Sequence, residues 1–236
     1  MQLAPDRIDL ALDEMQLVNE ILPQGARVLE LGCGKADKTR QIAQGGKADF
    51  ILALEVDRIQ HDRNMQIADL PNVRFALGGA EEIPADNTSF DVVMMFKSLH
   101  HVPVDKMDSA LQEIRRVLKP GGLAYLSEPI FAGDYNDILR LFHNEEAVRK
   151  AAFEAIRQSV ESGQLRLERE VFFNATVRYQ DFAQFDRAVL KVTHTSHVLS
   201  PELYDEVRAK FERHMTSEGA VFKVPMRVDL LRKDVA

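Results

Sequence analysis

A glycine-containing turn after an apolar segment near the amino terminus constrains the fold most strongly. The segment, residues 28–43, reads VLELGCGKADKTRQIA. Glycine lets the backbone bend tightly and lets a ligand approach the main chain, so the pattern predicts a strand, a ligand-binding turn and a helix. The third glycine of the usual dinucleotide signature is absent, and Asp37 stands there. Because a carboxylate would repel a pyrophosphate, the turn disfavours NAD and FAD and favours a nucleoside without phosphates.

Apolar segments alternate with helical patterns over residues 26–128. The run FDVVMMF at Phe90–Phe96 is typical of a parallel strand covered on both faces. Strands that alternate with helices imply a parallel sheet with right-handed crossovers. We therefore predict an α/β protein with a doubly wound, mostly parallel, seven-stranded sheet. The predicted strands cover residues 27–31, 50–54, 73–77, 90–96, 123–126, 168–179 and 221–231. The main predicted helices cover residues 8–22, 37–44, 107–118, 180–191 and 201–216, with one or two more within 134–162.

The composition excludes several classes of protein. The chain has 30 Lys plus Arg and 37 Asp plus Glu, a formal charge of -7, so we expect no nucleic-acid partner. Its single cysteine, Cys33, permits no intramolecular disulfide and fits a reducing compartment. We see no signal-peptide pattern and no apolar run near the roughly 20 residues that a membrane helix needs. We expect a cytoplasmic monomer or homodimer without membrane contact.

Four motifs follow one another in the first half of the chain. They are residues 28–34 (VLELGCG), 89–93 (SFDVV), 99–102 (LHHV) and 113–122 (EIRRVLKPGG). In this order and spacing they resemble the class I S-adenosylmethionine-dependent methyltransferases of the small-molecule type. The resemblance implies a Rossmann-like methyltransferase fold, S-adenosylmethionine as the cofactor and a small organic molecule as the methyl acceptor.

The resemblance also divides the chain into parts of one methyltransferase domain, residues 1–236. We expect an N-terminal helix in 1–25, a cofactor-binding core in 26–130, a helical lid in 131–165, and C-terminal strands and helices in 166–236. The lid is expected because the segment mixes apolar and polar positions and starts at the sheet edge where the acceptor must bind.

Cofactor contacts are expected at the ends of successive strands. The main chain of the glycine turn would touch the methionine part, and Glu30 would orient that loop or pair with the ammonium group. An acid after the second strand would accept the ribose hydroxyls; Glu55 is favoured, and Asp57 then caps the next helix. The expected cofactor-binding residues are Glu30, Gly32, Cys33, Gly34, Glu55, Asp57, Gly79, Ala80, Glu81 and Phe96.

Adenine recognition is the point at which the sequence departs from the family. The family often has an acid where Gly79 stands, and that acid contacts the adenine amino group. Gly79 has no side chain for this role, so the N–H of Ala80 or the carboxylate of Glu81 would have to substitute.

The methyl transfer itself is an in-line displacement that needs alignment and, for an oxygen or nitrogen acceptor, a base. His100 and His101 follow the fourth strand and are candidate bases, with a structural or cofactor-shielding role as the alternative. We expect no metal site, and we interpret His194 and His197 as structural or solvent-exposed. The candidate acceptor-binding residues are Glu128, Tyr135, Arg140 and His143.

Three functions remain in order of preference. The first is methyl transfer to a small organic molecule. The second is a non-catalytic protein that keeps the nucleoside pocket as a sensor or partner-binding module, a hypothesis that Gly79 favours. The third, methylation of a macromolecule, is disfavoured by the acidic composition.

Overall fold

The computed structural model describes residues 1–191 and 198–235, which form helices around one mixed sheet. The strands are β1 Ala26–Leu31, β2 Ala48–Glu55, β3 Val73–Leu77, β4 Phe90–Phe96, β5 Leu118–Pro129, β6 Arg166–Tyr179, β7 Met215–Thr216 and β8 Gly219–Arg232. The α-helices are α1 Glu14–Ile21, α2 Asp37–Gln44, α3 Arg58–Asn64, α4 Met107–Val117, α5 Asp134–Leu139, α6 Glu146–Glu161, α7 Phe182–Phe185 and α8 Pro201–Glu212. Among the described residues, no helix has both the length and the apolar character to cross a membrane.

The sheet has the order β3-β2-β1-β4-β5-β8-β6, and the two-residue β7 pairs with β8. Strands β1 to β5 pair in parallel, whereas β8 is antiparallel to both β5 and β6. This arrangement confirms the predicted doubly wound, mostly parallel sheet of seven strands, to which β7 adds a short eighth.

Apolar side chains of the central strands feed two cores on opposite faces of the sheet. In β4, Val92 and Met94 join the core beneath α1 and α2, while Val93 and Met95 join the core beneath α4 and α6. Alternate residues of a strand point to opposite faces. From Val92 to Phe96, β4 is therefore apolar on both faces, which is why its position was predictable.

Several predicted boundaries are wrong. The helix predicted over 201–216 ends at Glu212, because Met215–Thr216 form β7 and pair with Ala220 and Gly219 of β8. Two other errors come from contacts between distant parts of the chain. The first helix begins at Glu14 rather than at residue 8, because Asp13 caps it by accepting from the N–H of Met15 at 3.0 Å. Just before it, the N–H of Asn174 in β6 donates to the carbonyl of Leu10 at 2.8 Å, which holds that segment extended. The turn predicted at 119–122 instead lies within β5, where Gly121 has φ +77° at an irregularity in the pairing with β4.

The β6 and β8 strands extend past the end of their neighbour. Strand β5 ends at Pro129, which pairs with Met226, yet β8 and β6 stay paired from there to Ala220 and Tyr179. We call this extension, residues 174–179 and 219–225, the overhang. It projects at the carboxyl edge of the parallel sheet, and a third hydrophobic cluster joins it to α5, α7 and α8.

The segment predicted as a lid divides into two parts with different surroundings. In α6, Ala152 and Ile156 are fully buried in the same core as α4. Helix α5 instead packs with the overhang, and its Tyr135 and Leu139 face a large cavity. Helix α6 is thus part of the helical layer and contributes Arg149 to the cavity lining, whereas the other cavity-lining residues of the segment lie in α5 and in the turn before α6.

The burial of α6 generates a stability prediction. Ile156→Ala should lower the free energy of unfolding by about 2–5 kcal/mol, because it removes buried methyl groups and leaves a cavity. The matched control is Ile59→Ala, since Ile59 is 56% exposed. Urea unfolding followed by circular dichroism measures both. Equal small effects of the two changes would show that α6 is not part of the core.

Candidate functional site

One continuous cavity of about 1630 Å³ opens along the carboxyl edge of the parallel strands. Ligands of open α/β sheets bind at this edge. One end, which we call the glycine end, lies among the turns that follow β1, β2 and β3. The other, the overhang end, lies among α5, the overhang and the turn after β4. Its apolar wall is formed by Leu12, Leu139, Ala175, Val177, Val224 and Met226.

The glycine turn after β1 forms the floor of the glycine end. Gly32 has φ +72°, and a Cβ there would lie 2.8 Å from the Cβ of Ser98, so only glycine fits. Helix α2 then begins at Asp37, in the first turn where the helix dipole favours a negative charge. Asp37 thus places the protein's own carboxylate at the helix end where a dinucleotide fold would bind a pyrophosphate.

Glu55, at the end of β2, is the central polar group of the glycine end. Its Oε2 accepts from the N–H of Gly34 at 2.7 Å, and its Oε1 accepts from the N–H groups of Val56 and Asp57 at 2.8 and 2.9 Å. A carboxylate has about four acceptor positions, so one remains for a ligand while these bonds persist. Glu55 therefore both anchors the glycine turn and faces the cavity.

Asp57 also lines the cavity but is engaged locally. Its Oδ1 accepts from the N–H of Ile59 at 2.9 Å, which caps α3. This is the helix-capping role that the sequence left open for Asp57, and it leaves Glu55 as the better placed ribose partner.

Two residues expected to touch the cofactor lie behind the glycine turn. Glu30 is 1% exposed and accepts from the Oγ1 of Thr39 at 2.6 Å, so its carboxyl fixes α2 rather than reaching a ligand ammonium. Burial raises the pKa of Glu30 to about 7. The Cys33 side chain is buried against Asn64, and burial raises the pKa of its thiol, which makes it a packing residue. Neither residue lines the cavity among the described residues.

The turn after β3 supplies the acid that Gly79 lacks. The Cδ of Glu81 lies 2.9 Å from the position that a Cβ on Gly79 would take. The Glu81 carboxylate therefore fills the space that a longer side chain at position 79 would occupy. Ala80, Glu81 and Phe96 all line the cavity, and the Phe96 ring packs 5.5 Å from that of Tyr125.

Three histidines and two glutamates meet between the turn after β4, the end of β5 and the start of α6. We call these residues, His100, His101, Glu128, His143 and Glu145, the histidine–glutamate cluster. Nδ1 of His100 is in close contact with Glu128, and Nε2 of His100 lies 3.6 Å from Oε1 of Glu145. His143 Nε2 is 2.9 Å from the same oxygen, and the ring centroids of His101 and His100 lie 4.1 Å apart with the ring planes tilted by 43°.

Arg149 of α6 holds this cluster in place from the other side of Glu145. Its Nη2 donates to Oε2 of Glu145 at 2.6 Å, and its Nη1 donates to Oδ1 of Asn136 at 3.1 Å. Burial alone would raise the pKa of Glu145, but the charges of His100 and Arg149 outweigh it and hold that pKa below its ordinary value.

The predicted acceptor-binding residues are distributed unevenly. Tyr135 lines the overhang end, and its hydroxyl lies 2.7 Å from that of Tyr179. Glu128 is buried behind His100 and does not line the cavity. His143 does not line the cavity, and its Nε2 lies 2.9 Å from Oε1 of Glu145, which does. Arg140 lies outside the cavity, half exposed beside Asp137 and the Phe131 ring, so the structure does not place it against an acceptor.

Lys97 is a cavity residue to which the sequence gave no role. It follows β4 directly and has φ +53°, a left-handed conformation that is strained for a residue with a side chain. Crowding by protein atoms lowers the pKa of its ammonium group, which Glu14 and Glu128 partly offset. The sequence signal that could have identified Lys97 as a cavity residue was its position directly after the strand β4. His194 and His197 lie outside the described residues.

The sheet order and the cavity at its carboxyl edge define a Rossmann-like methyltransferase fold. Two solved structures share it over 94% of this chain at 17% identity: the YcgJ protein of Bacillus subtilis (TM-score 0.67, 98% of that chain) and a putative methyltransferase of Bacillus halodurans (TM-score 0.65, 99% of that chain).

Sequence comparison finds a methyltransferase domain in the first half of the chain. Residues 28–122 match the family described as "Methyltransferase domain". The chain is 34% identical over 110 residues to the ubiquinone/menaquinone biosynthesis C-methyltransferase UbiE of Idiomarina loihiensis, covering 44% of this chain and 43% of that protein. It is 31% identical over 148 residues to the demethylmenaquinone methyltransferase of Staphylococcus epidermidis, covering 58% and 61%. The chain thus spans about half the length of these relatives. Residues 28–122 thus match a methyltransferase domain, in agreement with the resemblance of the four motifs to the class I S-adenosylmethionine-dependent methyltransferases.

Two isosteric substitutions distinguish the expected roles of Glu55 and Asp57. Glu55→Gln should weaken binding of S-adenosylhomocysteine by roughly tenfold, because a charge-assisted hydrogen bond contributes about 1.5–3 kcal/mol. Asp57→Asn should leave the dissociation constant nearly unchanged, since asparagine caps helices as well as aspartate does. Isothermal titration calorimetry measures both. The reverse pattern would transfer the ribose role to Asp57.

The buried carboxyl of Glu30 predicts a pH dependence of stability. The unfolded carboxyl loses its proton near pH 4.5 and the folded one near pH 7, so the folded state binds the extra proton in between. The wild type should therefore lose about 3 kcal/mol of unfolding free energy relative to Glu30→Gln between these pH values, and no more above pH 7. Denaturant titrations of both proteins across this range measure the difference. A constant difference would contradict the assignment.

Proposed function

We propose that this protein transfers the methyl group of S-adenosylmethionine to a small organic acceptor bound at the overhang end of the cavity. The observation that carries the proposal is the continuity of the cavity, in which the polar glycine end opens directly into a pocket with an apolar wall and a few charged groups. Such a pocket suits an acceptor with an apolar body and one polar reacting group.

The residues at the glycine end fit the cofactor. Glycines with positive φ let the turn approach the methionine part of the cofactor, and Glu55 keeps one acceptor position for a ribose hydroxyl. The carboxylate of Glu81, placed where a side chain at position 79 would lie, can accept from the adenine amino group. The departure at Gly79 is therefore compensated two residues later, and it no longer favours a non-catalytic protein.

When bound, the cofactor supplies a methyl group on a sulfonium, a good leaving group. The chain's own contribution is to align the acceptor with that methyl group and to keep water from the reacting atoms. Aromatic and aliphatic side chains of α5 and the overhang provide that enclosure.

The positive charge of Lys97 indicates which chemical class of acceptor the cavity suits. We find no hydrogen bond or ion pair of its side chain within the described residues, and the residue lines the cavity. A positive charge in a crowded cavity stabilises an anionic acceptor such as a phenolate or an enolate. The relatives are named for methylation in quinone biosynthesis, and one of them is named a C-methyltransferase, which supports an electron-rich ring or enol as the acceptor.

The base role proposed for His100 and His101 depends on which ring nitrogens are available. The Nδ1 of His100 faces Glu128, so only its Nε2 is directed toward Glu145 and the cavity. His101 is exposed at the cavity wall beside it. These two nitrogen-bearing rings are the candidates to accept an acceptor proton.

The test of the proposed function has a binding arm and a turnover arm. Calorimetric titration should show binding of S-adenosylmethionine and S-adenosylhomocysteine but not of NAD. Methyl transfer should then be assayed on phenols, hydroquinones and enolisable ketones, with Lys97→Met as the acceptor variant. We expect Lys97→Met to lower turnover at least tenfold while cofactor affinity stays nearly constant, which corresponds to a loss of about 1.4 kcal/mol or more.

The proposed role of Glu81 in adenine binding is tested by a substitution at Glu81 and a matched control at Glu82. Glu81→Gln should weaken cofactor binding, whereas Glu82→Gln should not, because Glu82 is exposed and does not line the cavity. Tight NAD binding without affinity for S-adenosylmethionine would overturn the proposed function. Wild-type turnover by Lys97→Met on every accepted substrate would overturn the acceptor class.

A further inference from the structure

The histidine–glutamate cluster has more ligand atoms than a simple proton acceptor needs. Ligand atoms of His100, His101 and Glu145 all lie within 4.8 Å of one another. The distance from His100 Nε2 to Glu145 Oε1, 3.6 Å, is close to the spacing of two ligands around a tetrahedral ion with bonds of about 2.0–2.2 Å. Two imidazoles and a carboxylate are a donor set for divalent transition metals.

The protonation of His100 follows from its contact with Glu128. A carboxylate only accepts, so Nδ1 of His100 carries the proton that faces Glu128. In the neutral ring, the lone pair of Nε2 is then directed toward Glu145, whose Oε1 is also an acceptor. Two acceptors that face each other repel unless a proton or a metal cation lies between them. A carboxylate on the distal nitrogen of a histidine is also the usual outer partner of a metal ligand.

The surroundings of Glu145 fit one metal-binding oxygen. Arg149 occupies Oε2 with bonds of 2.6 and 3.1 Å, while Oε1 faces the histidines. The Arg149 bond fixes the carboxylate plane, as hydrogen bonds to metal-binding carboxylates do. His100, His101 and Glu145 also line the cavity, so further coordination positions would face the acceptor.

We propose that His100 Nε2, a ring nitrogen of His101 and Oε1 of Glu145 bind one divalent transition-metal ion, of the Zn²⁺, Fe²⁺ or Co²⁺ class, at the overhang end of the cavity. Glu128 positions His100 and is not itself a ligand. The sequence gave no such motif because Glu145 lies in a different element from the two histidines.

The ion has a chemical use only within the proposed function. Bound to an acceptor hydroxyl oxygen, it would lower the pKa of that hydroxyl, and the proton would leave to water through the open cavity. The same histidine nitrogens cannot bind a metal and act as bases at once. A test for metal binding therefore distinguishes the metal mechanism from the histidine-base mechanism, which the shape of the cavity does not.

The experiment is a titration of the chelator-treated full chain with Co²⁺, followed by visible d–d absorption, with Zn²⁺ as the competitor. It needs neither cofactor nor acceptor, so its result is independent of the proposed methyl transfer. We expect one Co²⁺ per chain with nitrogen ligation, displaced by Zn²⁺. His101→Ala and Glu145→Gln should each weaken binding at least about tenfold, whereas Glu146→Gln, a change at the exposed neighbour in α6, should not.

Glu128→Gln tests the positioning role by its spectrum. An amide N–H facing Nδ1 would move the imidazole proton to Nε2 and remove that ligand, so affinity should fall roughly 10–100-fold with a changed d–d band. Circular dichroism confirms that each variant is folded. If the wild type binds no Co²⁺ or Zn²⁺ at a large molar excess, or if His101→Ala and Glu145→Gln bind as the wild type does, the metal site is overturned and the base mechanism is retained.

Discussion

The glycine end of the site depends on one carboxylate and three backbone N–H groups. Glu55 at the end of β2 accepts from Gly34 across the cavity floor and from its own two successors, Val56 and Asp57. These bonds hold the turn after β1 against the turn after β2, and so set the shape of the space between them. Charge-assisted hydrogen bonds of this kind are stronger than neutral ones. A flexible glycine turn is thereby fixed before any ligand binds, which lowers the entropy that binding must overcome.

Charge is distributed along the cavity in a way that matches its two ends. The glycine end presents the carboxylates of Glu55 and Glu81, which accept hydrogen bonds, while the middle of the cavity presents the ammonium group of Lys97. A ligand with hydroxyl and amino donors suits the first, and an electron-rich ligand suits the second. Lys97, which follows β4 directly and has a left-handed backbone, is the cationic residue that β4 contributes to the cavity lining.

The sequence predicted what local patterns determine. The strands at Val73–Leu77 and Phe90–Phe96 match the structure to the residue. In the second of them, the buried run from Val92 to Phe96 leaves a continuous apolar signal. It did not predict the start of α1, which depends on pairing with the distant β6.

For the site residues, too, the sequence predicted what depends on local position and missed what depends on tertiary packing. Eight of the ten expected cofactor residues line the cavity, since the ends of parallel strands meet at one edge. Glu30 and Arg140 point elsewhere because side-chain direction depends on the pleat of the strand and the face of the helix, which residue type does not reveal. The contact of Glu145 with His100 could not be read from spacing, because tertiary packing alone brings α6 to the turn after β4.

The overhang is packed differently along its length. Its hydrophobic cluster has no residue in common, within the described ranges, with the two clusters that flank the sheet. Four of the six apolar wall residues nevertheless pack with the core beneath α1 and α2, namely Leu12, Ala175, Val224 and Met226. A change at Leu139 or Val177 therefore disturbs the third cluster, whereas a change at Met226 also reaches the packing of the sheet itself. The cavity wall is thus divided between two cores, and only one part of it can be reshaped without loosening the sheet.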